Sequence, residues 1–207
     1  MTRGRDDPAG VERLADAVRR LIDVTVRIAA PPAAIAAATA AIERVVGELA
    51  GFVPSPLPPR YPGGDVPEPN DHFPYDVVLG RRNPLAVPIE IAWCPPRAIG
   101  RVVFGTPYEG PPGCVHGAVI ASAFDQILNV ANVMLGVPGP TAKLMVRYRR
   151  PTPLGVPLRF EGWQDRVDGR RIHGAGTLSA GDEVTAEAEG VFVRLSPEHV
   201  MRMLDRR

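Results

Sequence analysis

Ten residues, His116-Gly117-Ala118-Val119-Ile120-Ala121-Ser122-Ala123-Phe124-Asp125, have the types and spacing best suited to chemistry. The turn-rich segment 108–115 leads into a small-residue helix start, and the helix that follows is apolar except for one acid. An ionisable group in an apolar helix is costly unless it is paired or used. At the helix start, the N–H groups of Gly117 and Ala118 have no intrahelical acceptor and favour negative charge. Donors for an oxyanion plus a carboxylate are the minimal parts for acyl transfer, with Asp125 as nucleophile or as general base on water. Gly117 suits the donor role because a missing side chain lets a carbonyl approach closely. Gly117 and Asp125 stand eight positions apart, about 12 Å along one helix, so no single carbonyl reaches both. If both act on one substrate, they come from different subunits, and the site is composite across a dimer.

The elements that must position this segment follow from periodicity. Residues 11–29 carry Val11, Leu14, Val18, Leu21, Ile22, Thr25 and Ile28 at helical spacing. Pro31-Pro32 ends that helix and opens a second over about 33–50, closed by Gly51. The two read as a helical hairpin that serves packing or oligomerisation, with no polar constellation of its own. Residues 53–75 are Pro-rich and read as an extended linker, so three segments are expected: hairpin 1–52, linker 53–75 and main domain 76–207. In the main domain, strands are expected at 88–93, 98–104, 141–149, 156–167, 171–179 and 183–195, with the apolar helix at 116–135. Asp168-Gly169 and Gly181-Asp182 are hairpin turns. Ser196-Pro197 opens a last short helix over 197–205. A helix that is apolar nearly all round is buried, so the expected class is α+β, an antiparallel sheet wrapped around one central helix.

Composition bounds the alternatives. The chain has 207 residues, 45% hydrophobic and 23% charged, an ordinary globular balance. A net charge of +1 argues against a general nucleic-acid binder. Cys94 and Cys114 make neither a metal pattern nor a disulfide framework. No continuous apolar run of bilayer length and no secretory leader are read, so a cytoplasmic setting is expected.

Five stretches now carry a resemblance: Gly113-x-x-His116-Gly117, Asp125 nine residues after the histidine, Thr141-Ala142-Lys143-Leu144, Tyr148-Arg149-Arg150-Pro151-Thr152-Pro153-Leu154, and the terminal strand 186–193. In this order they resemble the hotdog-fold acyl-CoA thioesterases of the PaaI-like (4-hydroxybenzoyl-CoA thioesterase-like) family. The resemblance covers about residues 88–195 and not the N-terminal helices. Two positions depart from the family pattern: Ala118 replaces a usual glycine, and segment 108–115 lacks the side-chain amide of some relatives.

The resemblance implies hydrolysis of an acyl-CoA to a free acid and coenzyme A, without a metal or organic cofactor. It also implies a homodimer, or a dimer of dimers, with two helices antiparallel and two composite sites; neither a nucleic-acid partner nor a membrane span is expected. Asn129, one turn after Asp125, corresponds to a residue that orients the carboxylate or a water; a plain helix hydrogen-bonder is the alternative. Thr141 corresponds to a site-lining threonine, or is only a strand start. Arg147, Arg149 and Arg150 suit the phosphates of coenzyme A, or form a solvated strand end. His116 either assists the carbonyl or fixes the turn by bonding nearby backbone. Asp125 as a paired structural acid is the competing reading of the central residue. Three other functions stay open: a hotdog dehydratase or hydratase, for which no His–acid pattern is present, a non-catalytic acyl-CoA binding or sensing module, and a purely structural oligomer.

Overall fold

The computed structural model describes residues 7–55 and 69–195. Helices α1 (Pro8–Arg27) and α2 (Pro32–Ala50) come first. A short helix α3 (Pro69–His72) precedes strands β1 (Glu90–Cys94) and β2 (Arg97–Val102). Helix α4 (Gly117–Met134) is followed by β3 (Thr141–Tyr148), β4 (Leu158–Asp168), β5 (Arg171–Ala180) and β6 (Glu183–Val193). The expected strands and central helix are present within a few residues of their read limits. The helix expected at 197–205 lies outside the described residues.

The six strands form one antiparallel sheet in the order β1-β2-β4-β5-β6-β3. Gly169 (φ 56°) and Gly181 (φ 59°) make the tight turns at the β4–β5 and β5–β6 hairpins. The sheet wraps α4. Phe160, Ile172, Leu178, Ala186 and Phe192 from the strands close on Phe124, Ile127 and Leu128 of the helix, all fully buried. Phe124 meets Phe160 edge-on at 5.1 Å. α4 is long and apolar enough to cross a bilayer, which the sequence reading did not find. Its place under the sheet accounts for that composition.

Close approach of helix and sheet depends on residues without side chains. A Cβ at Gly162 would lie 2.6 Å from Ile127 Cγ2, and one at Gly100 would lie 2.8 Å from Ile127 Cδ1. Gly162→Ala is therefore an overpacking substitution beneath the helix that carries Asp125. Loss of about 1–3 kcal/mol is expected, measurable as a lower urea midpoint with an unchanged slope.

The packed body starts earlier than the expected domain limit at residue 76. Pro69 and Asn70 are buried. Asn70 Nδ2 donates to the carbonyls of Leu79 and Ile89, and its Oδ1 accepts from the Ile91 N–H, which fixes the entry to β1. Asp76 turns the next loop by accepting from the Val78 and Leu79 N–H groups. Its second oxygen accepts from Gln126 Nε2 at 3.3 Å, which ties the loop to α4.

The N-terminal helices form where expected but pack otherwise. α1 docks through a polar flank. Arg19 Nη2 donates to the carbonyls of Gly80, Arg81 and Asn83, and Glu12 pairs with Arg82. Its apolar stripe, including Leu14, Leu21 and Ile28, stays exposed. α2 buries none of its side chains and does not lie along α1, so the two are not a packed hairpin. The physical reason lies in the connector. Ile28 (ψ 135°) and Pro31 (ψ 148°) are extended, and two adjacent prolines hold that geometry.

Candidate active site

The start of α4 is fixed by its own cap. His116 is extended (φ −63°, ψ 132°), and its Nδ1 accepts from the Ala118 N–H at 3.0 Å. For Nδ1 to accept, the ring proton of the neutral imidazole sits on Nε2. The His116 N–H donates to the Tyr108 carbonyl at 2.8 Å, which anchors the turn below the helix. The Ala118 N–H, one of the two donors expected for an oxyanion, is therefore engaged by the neighbouring imidazole. Gly117 presents the remaining N–H, which has no partner among the described residues.

Sequence reasoning gave Tyr148 no role at this point. It stands at the end of β3, and its hydroxyl donates to the Gly117 carbonyl at 2.7 Å. A Cβ at Gly117 would lie 3.2 Å from the Tyr148 hydroxyl. The contact depends on β3 crossing to the far sheet edge, beyond β6, which no local pattern reveals. Burial pushes the Tyr148 hydroxyl pKa up. Tyr148→Phe removes one hydrogen bond, about 1 kcal/mol or less, and loosens the helix start. A several-fold fall in turnover is expected, read by steady-state kinetics. A tyrosine whose folded pKa is raised contributes stability that is complete below its ordinary value, near 10. That contribution is lost as pH rises through the raised value. Thermal scans above pH ~10 should therefore fall more steeply for wild type than for Tyr148→Phe.

A groove of about 450 Å³ opens at this helix start between Pro111, Cys114, Gly117, Ile120, Tyr148 and the 149–152 segment. Arg149 and Arg150 line it. Both are paired with acids on β6: Arg149 Nη2 with Glu187 at 2.7 Å and Arg150 Nε with Glu183 at 2.9 Å. Arg147 is not among the groove residues and lies 3.8 Å from the same Glu187. Of the three arginines, two are therefore brought to the Gly117 groove, each partly neutralised.

Asp125 is half-buried on α4. It has no hydrogen bond or ion pair among the described residues of the chain. One turn on, the buried Oδ1 of Asn129 likewise has no partner. Both belong to a helix flank away from the Ile120–Phe124–Ile127 core stripe. Thr141 is exposed at the opposite end of β3 from Tyr148, about 23 Å along the strand. Within one chain the site residues thus divide into a Gly117–His116–Tyr148 end and an Asp125–Asn129 flank. Among the described residues no group of His, Cys, Asp and Glu is placed to hold a metal ion.

A second tyrosine supports the turn. Tyr108, in the single 3-10 turn Thr106–Tyr108, stacks edge-on against Phe104 at 5.2 Å. Burial raises its pKa, partly offset by the Arg19 charge. α1 therefore braces the loop that carries His116.

Comparison with known proteins agrees with this architecture. The thioesterase superfamily family model matches residues 112–187, which include the helix start, Asp125 and β3. Acyl-coenzyme A thioesterase THEM4 of Xenopus laevis is 33% identical over 94 residues, 44% of this chain and 42% of that protein. The Mus musculus protein of that name is 32% identical over 96 residues, 45% of this chain and 41% of its own length. The chain thus spans less than half the length of these curated relatives. The crystal structure of a thioesterase superfamily protein superposes with a TM-score of 0.80 at 35% identity, covering 88% of this chain and 94% of that one. An antiparallel sheet wrapped on a central helix, matched along nearly the whole length of a solved relative, places this chain in the thioesterase superfamily, with the hotdog fold.

Proposed function

We propose that the protein is an acyl-CoA thioesterase whose sites are shared between two subunits. The observation that carries this reading is Asp125, a half-buried carboxylate that is the one charged side chain of α4 and has no hydrogen-bond or ion-pair partner among the described residues. Its neighbour Asn129 has an unpaired oxygen one turn away. A charged group set among buried apolar side chains is costly unless it is paired or used. The names of the THEM4 relatives support the substrate class.

In this account the thioester carbonyl lies against Gly117 of one subunit, with its acyl or pantetheine arm in the groove beside Tyr148. Asp125 of the other subunit takes a proton from water, whose oxygen attacks the carbonyl carbon. The Gly117 N–H holds the oxyanion, the carbon–sulfur bond breaks, and the coenzyme A thiolate takes up the proton. In the alternative route, the Asp125 carboxylate attacks directly and expels the thiolate, and water then cleaves the mixed anhydride. β3 is an edge strand with one side unpaired, which suits continuation of the sheet by a second copy. Arg149 and Arg150 at the groove mouth face the phosphates of coenzyme A.

One observation favours a second reading, a non-catalytic acyl-CoA binding module. The Ala118 N–H is engaged by His116, so one free donor stands where oxyanion sites commonly use two. Hydrolysis of a panel of acyl-CoAs, followed by free-thiol release, separates the readings. Turnover of at least one member supports the thioesterase. Saturable binding across the panel without thiol release supports the module.

A further inference from the structure

α1 and α2 each present an apolar seam that no described part of the chain covers. On α1 it is Leu14, Ala17, Leu21, Val24 and Ile28; on α2 it is Ile35, Ala38, Ile42, Val45 and Leu49, and all of these are exposed. Both follow alternating steps of three and four residues, the 3.5-residue repeat of helices that pack on other helices. Both run about 21 Å. Two seams of the same repeat and the same length can close on one another, and the chain contains two. They do not meet within one copy, because the extended Ile28–Pro31 connector carries α2 away from α1.

We propose that the seams are closed by a second copy of this chain, α1 of one packing antiparallel against α2 of the other, with the helices exchanged about a twofold axis. Charge selects this pairing. Arg13, Arg20 and Arg27 flank the α1 seam on one side, at seven-residue intervals. Arg13 and Arg27 are paired with Asp7 and Asp23, which leaves Arg20 as the unpaired charge on this flank, and two antiparallel α1 helices would set it against another arginine. The same flank of α2 carries Ala34, Ala41 and Glu48. In the antiparallel register that sets Leu21 against Val45, Arg20 falls opposite Glu48. Neither has an ion-pair partner among the described residues. The opposite flanks then match Val18 with Val46 and Thr25 with Thr39, free of charge on both sides. The surface is separate from β3 and Asp125, so the pairing stands or falls independently of the catalytic reading.

Disulfide trapping tests it in the full chain with Cys94→Ala and Cys114→Ala. Leu21→Cys and Val45→Cys chains, expressed singly and together, are oxidised and run on non-reducing gels. The expected result is a covalent dimer only when the two are co-expressed, and none from either alone. The double variant should likewise link into dimers. A fast-migrating cross-linked monomer from the double variant, without covalent dimer on co-expression, would show α2 folding back on its own α1 and overturn the proposal. Absence of any cross-link, with both variants folded by circular dichroism, would overturn it too.

Discussion

Asp125→Ala is expected to lower kcat/KM for acyl-CoA hydrolysis by about 10²–10⁴-fold, the range for removing a positioned acid–base group. Stability should stay the same or rise. The carboxylate has no hydrogen bond or ion pair among the described residues and is the one charged side chain of α4. Its removal breaks no hydrogen bond or ion pair among the described residues. This combination is diagnostic. A paired structural acid in the same place would cost about 3–5 kcal/mol when its partner was stranded, and activity would fall only as the fold failed. Thermal melts and kinetics on one preparation distinguish the two. Asp125→Asn keeps the shape and should match Ala in rate, because neither takes a proton from water nor attacks a carbonyl.

Gly117→Val should be nearly as damaging through a different physical route. The first carbon of a side chain at residue 117 already meets the Tyr148 ring carbon Cζ and hydroxyl at 3.2 Å, and valine adds two more methyls toward the groove. The substrate carbonyl is then held away from the Gly117 N–H, and the Tyr148 bond to the Gly117 carbonyl is strained. Loss of one oxyanion donor costs about 10²–10³-fold in turnover. KM should rise as well, because the side chain occupies space beside the groove. The backbone at residue 117 is not in the left-handed region, so the substitution should leave the helix folded. Retained circular dichroism with lost rate is the expected pair of measurements.

How much of this was legible in the sequence depended on whether a feature was local. α4 was legible over 116–135, and the turns before β5 and β6 at Gly169 and Gly181, because turn chemistry acts over a few residues. The orientation of α1 was not legible. Its apolar stripe read as a packing or oligomerisation face and said nothing of the polar flank, where Arg19 finds the carbonyls of Gly80, Arg81 and Asn83 some sixty residues away. Asn70 was hidden for the same reason, since its partners at Leu79, Ile89 and Ile91 are assembled only by the fold. At the site, the Gly117–Asp125 separation was fixed by helix geometry alone. The capture of the Ala118 N–H by His116 required a side-chain rotamer, and the Tyr148 contact required the strand order. Periodicity reports which face of an element is apolar; it does not report whether the chain itself or a neighbour covers that face.

The central claim is that Gly117 of one subunit and Asp125 of another serve one thioester. Complementation tests it most directly. Asp125→Ala and Gly117→Val chains, each inactive alone, are co-expressed with different tags, and mixed dimers are purified through both. One of the two sites in such a dimer has an intact Gly117 facing an intact Asp125. The account therefore predicts about half of wild-type activity per mixed dimer, in keeping with twofold symmetry. Mixed dimers as inactive as either parent would contradict it, because both groups would then have to act from the same chain.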